Sequence, residues 1–148
     1  YMKIICGVGL LLREPAGKVL ILRELKSKPH YGKYAGMLTL PFETVEDGET
    51  TYDALRRLIH EEIGVEIVEI AVDLVFLKEF LIELSVDYSV QLFVFTGTVT
   101  QQFIACPNDT DVEYYGWMSQ QDILRLDPRH RRQEVVPIFD AIVNAIAR

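Results

Sequence analysis

Residues 49–64 read Glu49-Thr50-Thr51-Tyr52-Asp53-Ala54-Leu55-Arg56-Arg57-Leu58-Ile59-His60-Glu61-Glu62-Ile63-Gly64, and the reading of this stretch decides the fold. Thr50 with Asp53 three residues on forms a capping box, and Gly64 supplies a left-handed stop, so the spacing predicts a helix over about 51 to 62. At 100° per residue from Ala54, Leu58 falls at about 40°, Leu55 at about 100° and Ile59 at about 140°, which makes one apolar arc. Glu62 lands inside that arc at about 80°, and Glu61 sits on its edge at about 340°. Both carboxylates also oppose the helix dipole in the last turn, at about 0.3–1 kcal/mol each. Two accounts of this placement stay open. Either Glu61 pairs with Arg57 one turn back while Glu62 snorkels to solvent, or a divalent cation such as Mg²⁺ supplies the missing positive charge.

Working outward, the helix is embedded in a β-rich chain. Residues 4–12 and 18–25 are apolar runs flanking Glu14-Pro15-Ala16-Gly17, a turn that predicts a hairpin. Residues 26–36, with Pro29, Gly32 and Gly36, read as a loop, and residues 37–40 as a short strand ending at Pro41. Strands are expected at 73–80 and 89–99, the second rich in β-branched and aromatic residues, with a hairpin connection between them. Gly116-Trp117-Met118 closes a last strand. Ser119 to Asp122 is a second capping box, opening a helix to about residue 126, and residues 135–147 carry Val136, Phe139, Ile142, Val143 and Ile146 at helical spacing. The expected fold class is therefore α+β, a mixed sheet flanked by helices, in one domain over residues 1–148.

With 148 residues, 49% of them hydrophobic, the chain can bury a core without disulfides or structural metal. Its net charge of −7 argues against non-specific nucleic-acid binding. No apolar run approaches the roughly 20 residues of a membrane span, no signal peptide is evident, and Cys6 and Cys106 lack CxxC spacing, so a cytoplasmic protein without membrane partners is expected. Cys6 reads as core; His30, His60 and His130 are isolated and read as surface; Arg129-His130-Arg131-Arg132 reads as a solvated basic run. Asp109, Asp111 and Glu113 could bring one more ligand to a metal site, and Tyr31, Tyr34 and Phe80 could stack on a base.

The stretch from Pro41 to Val65 resembles the Nudix box, Gx5Ex7REUxEExGU with U a bulky aliphatic residue. Glu49, Arg57, Ile59, Glu61, Glu62, Gly64 and Val65 fall in register over about 23 positions. The resemblance implies a Nudix-like α/β/α sandwich and a hydrolase that attacks a pyrophosphate link in a nucleoside diphosphate derivative, with Mg²⁺ or Mn²⁺ as cofactor. It implies Glu61 and Glu62 as metal ligands and catalytic residues, and Glu49 and Arg57 as supporting residues that tie loop to helix. Two positions depart from the box: Glu43 stands for its opening Gly, and Leu58 for the Glu after its Arg. The loop acids Glu43, Glu46 and Asp47 could substitute for the lost ligand. A carboxylate at position 58, one turn before Glu62, would join the ligand set. The alternative is a weak or inactive Nudix-fold module that binds a nucleotide or a protein partner. Substrate-binding residues and oligomeric state are not legible in the sequence.

Overall fold

The apolar run at residues 4–12 becomes the centre of the sheet because it is hydrophobic on both faces. In the computed structural model, which describes residues 2–64 and 71–146, it forms β1 (Lys3–Arg13). β1 lies parallel to β6 (Tyr88–Val99) along its whole length, and β6 pairs antiparallel with β5 (Ala71–Glu83) at the sheet edge. On the other side come β2 (Val19–Glu24) and β3 (Leu38–Thr39); β4 (Phe42–Thr44) pairs with β1, and β7 (Val112–Met118) with β2. The hairpin expected at 4–25 is present only at its tip. β1 and β2 meet at Arg13 and Val19 and then splay, because β1 finds β6 and β4 while β2 finds β7 and β3.

The period of two along the strands builds two cores. Val8, Leu10 and Leu12 of β1 and Leu20 and Leu22 of β2 face a helix, α1 (Thr51–Leu58), through Ala54, Leu55 and Leu58. Leu11, Val19 and Ile21 face the opposite way, toward Ile123 of α2 (Gln120–Leu124) and Ile138, Phe139 and Ile142 of α3 (Val135–Ile146). The result is the α+β sandwich with helices on both faces of a mixed sheet. Both capping boxes form, Thr50 with Asp53 and Ser119 with Asp122. The helix expected to run to about residue 62 changes character at its end, where Ile59–Ile63 is a π-helical turn closed by Gly64 at φ 75°. Val65, the last position of the box, and Ala147, the last of the expected tail helix, lie outside the described residues. Among those described, no helix is long and apolar enough to cross a membrane.

Candidate metal centre and substrate cleft

Three elements deliver one carboxylate each to a single point. Glu43 comes from β4, pinned opposite Val8 of β1; Glu62 comes from the π-helical turn; Asp109 comes from the loop before β7. One carboxylate oxygen from each lies within 4.8 Å of the others. Like charges packed this closely are unstable together unless protons or a cation neutralise them.

Glu62 is 5% exposed, so the reading in which it snorkels to solvent does not hold. Burial, reinforced by Glu43, Asp109 and Glu24, pushes its carboxyl up to about 9, and its Oε2 has no hydrogen-bond partner. Glu43 is pushed up to about 7, first by burial and then by the neighbouring Glu61 carboxyl, against the pull of Arg57; its Oε2 is also without a partner. Two buried, orphaned carboxylate oxygens pointing to the need for a counter-charge make this donor set fit a hard divalent cation.

Arg57 organises the rim. Its Nε and Nη2 donate to Glu49 at 3.2 and 2.9 Å, its Nη2 to the Thr44 carbonyl at 2.5 Å, and its Nη1 lies 2.9 Å from Glu43. These partners hold the Arg57 guanidinium firmly charged, and the same contacts lower the Glu49 carboxyl. Glu61 lies 3.6 Å from Arg57, partly exposed, beside the three-carboxylate group and outside it. Of the loop acids, only Glu43 reaches the group: Glu46 is an exposed, 3.8 Å partner of Arg57, and Asp47 is exposed. Asp111 is held by Lys26 and Lys28, and Glu113 by Arg23. Leu58 has no exposed surface and packs in the core under α1, so a carboxylate at that position would enter apolar packing instead of the ligand set.

The three carboxylates line an open cleft of about 150 Å³. Tyr31 is among its walls, while Tyr34 is exposed and Phe80 packs against the second core. Cys6, expected in the core, is half-buried and lines the cleft. The basic run departs most from its expected place. Arg132 is 7% exposed, because its backbone amide bonds the Leu38 carbonyl and turns the side chain inward to Glu24 and Glu134. A basic residue two positions before an acidic one, ahead of a helix, carries no signal that would have shown this.

Comparison with known proteins places the architecture. The NUDIX domain family model matches residues 5–138. Among solved structures, the chain is similar to a MutT protein from Methanosarcina mazei Go1, with TM-score 0.75 and 22% identity over 99% of this chain and 98% of that one. It is similar to a NUDIX hydrolase from Nitrosomonas europaea, with TM-score 0.72 and 22% identity over 99% and 92%. It is also similar to the NUDIX domain of Shewanella oneidensis NrtR complexed with ADP ribose, with TM-score 0.71 and 13% identity over 99% and 90%. No curated protein matches the chain.

Proposed function

The chain belongs to the Nudix family, and from that premise we propose that it is a divalent-metal-dependent hydrolase cleaving a pyrophosphate link in a nucleoside diphosphate derivative. The observation that carries this reading is the trio Glu43, Glu62 and Asp109, with two buried carboxylate oxygens left without partners. Mg²⁺ or Mn²⁺ held by these three would supply the positive charge that phosphoryl oxygens need in phosphoryl transfer. Water attacks one phosphorus, the bond from that phosphorus to the bridging oxygen breaks, and two phosphate products leave. Glu61, partly exposed beside the group and 3.6 Å from Arg57, is assigned to accept the proton of that water. Arg57 and Glu49 hold Glu43 and Glu61 in place and touch no reacting atom.

A second reading, a Nudix-fold module that binds a nucleotide derivative without turning it over, is favoured by Leu58, which removes one carboxylate of the box and places core in its stead. The ADP-ribose complex of the Shewanella domain supports a nucleotide derivative as ligand under either reading. A screen of nucleoside diphosphate derivatives with Mg²⁺ or Mn²⁺, read by coupled phosphate release, separates the two. Metal-dependent turnover supports the enzyme; saturable binding with no turnover by any compound supports the module.

A further inference from the structure

Two lysines that the proposed reaction does not use line the same cleft as the acidic group. Lys28 and Lys33 both belong to the loop between β2 and β3. Pro29–Tyr31 is a single 3₁₀ turn closed by Gly32 at φ 66°, and it folds the loop back on itself. Lys28 and Lys33 therefore face each other across an isolated antiparallel bridge, with backbone bonds of 2.7 and 3.3 Å. Opposite residues in such a bridge send their side chains to one face with Cβ atoms about 4.5–5.5 Å apart, and like charges so placed destabilise the pairing. The turn is nevertheless held in place by the hairpin of β5 and β6. The Ser85 hydroxyl donates to the His30 carbonyl at 2.7 Å, and the Tyr31 and Tyr88 rings meet edge to face at 5.3 Å.

Neither ammonium is tightly engaged by the protein itself. Lys28 Nζ lies 3.5 Å from Asp111, which already has Lys26 at 2.9 Å. Lys33 Nζ lies 3.5 Å from Glu24, which already has Arg132 at 2.7 Å. Among the described residues these are the only ion pairs of the two lysines, and both are long beside the roughly 2.7–2.9 Å of a charge-assisted hydrogen bond. Lys26, Lys28, Lys33 and Arg132 set four cations against the three carboxylates of Asp111, Glu24 and Glu134, so this wall is left positive in a chain of net charge −7. It also adjoins the acidic group, because the Asp111 amide donates to Asp109 Oδ1 at 3.0 Å. Two ammoniums held side by side call for an anion of matching charge. A terminal phosphate carries about 1.5 to 2 negative charges at pH 7, whereas a phosphate esterified on both sides carries only one.

We propose that Lys28 and Lys33 clamp a terminal phosphate, so that the compound cleaved ends in a free phosphate beyond the link that is cut and carries no sugar or alcohol there. This rests on the cleft being the substrate cleft of the proposed hydrolase. The test is equilibrium binding to the whole protein with Mg²⁺, using α,β-methylene-ADP, whose bridging oxygen is replaced by carbon, and its β-methyl ester, which has lost one terminal charge. The free phosphate should bind about tenfold or more tightly than the ester. Lys28→Ala and Lys33→Ala should each bring it down to the level of the ester, while Lys28→Arg, which keeps the charge, should retain the preference. Lys28 is 43% exposed, so its variants report even if the loss of Lys33 from beside buried Glu24 unfolds the chain. Equal binding of the two compounds to the unaltered protein, or binding of neither at millimolar concentration, overturns the inference. So does a preference that survives Lys28→Ala. A protein that shows the preference but cleaves no pyrophosphate link sinks the reaction and keeps the inference; one that cleaves doubly esterified diphosphates and binds the two analogues equally does the reverse.

Discussion

The carbonyl of Glu61 accepts a hydrogen bond from the amide of Asp109 at 3.0 Å. The loop before β7 caps the whole helix end in this way: Cys106 donates to the Ile63 carbonyl at 2.9 Å, Asn108 to Glu61 at 2.8 Å, and the Asn108 side chain to His60 at 2.7 Å. Carbonyls left free at the end of a helix need such partners. Satisfying them is also what brings Asp109 to Glu62.

Asp109→Asn therefore separates ligand from scaffold, since the backbone bonds persist while one charge goes. Divalent-cation affinity should fall by about tenfold or more, with little change in melting temperature in the absence of metal. Titration calorimetry with Mn²⁺ and a thermal melt check both halves.

Gly64 sits at φ 75°, and a Cβ there would overlap the Cys106 carbonyl oxygen. Gly64→Ala should cost about 1–2 kcal/mol for the left-handed backbone alone, with a further cost for displacing the capping loop. Denaturant unfolding measures the loss, and the loop's displacement predicts weaker Mn²⁺ binding in the same variant.

Stability without metal should fall as pH rises. Folding raises Glu62 to about 9 and Glu43 to about 7 from an ordinary value near 4.5. Between those limits the folded chain binds more protons than the unfolded one, so this contribution to stability is present below pH 4.5 and lost on the way to pH 9. A cation binds the folded, deprotonated site and reverses the loss by mass action. The rise in melting temperature on adding Mg²⁺ should thus be larger at pH 8 than at pH 5.5.

Leu58→Glu should not restore a box carboxylate to use. Position 58 has no exposed surface and lies in the apolar cluster with Ala54, Leu55, Ile59 and Ile63. Leu58→Ala should cost about 2–5 kcal/mol. Leu58→Glu should be destabilised by at least as much, and Mg²⁺ should stabilise it by no more than it stabilises the unaltered chain. Melts of both variants with and without Mg²⁺ decide the matter.

Local chemistry was legible in the sequence and long-range chemistry was not. The two capping boxes, the Gly64 stop and the apolar strands follow from residues within a few positions of each other, and they form as expected. The pairing of Arg57 with Glu49 is what the resemblance to the box implies, and the two side chains do meet. The splaying of β1 from β2 depends on partners far along the chain. Asp109 was one of three acids in a loop, and only the capping of the helix end singles it out. Glu24, Arg132 and Glu134 carry no local pattern at all. Their inward placement comes from the Arg132 backbone bond to Leu38.

The central claim is that Glu43, Glu62 and Asp109 hold one divalent cation. A crystal soaked in Mn²⁺ and measured for anomalous scattering tests it directly. The account predicts a peak about 2.0–2.2 Å from an oxygen of each of the three, abolished in Glu62→Gln. A peak on other residues only, or no peak at saturating Mn²⁺, would contradict it.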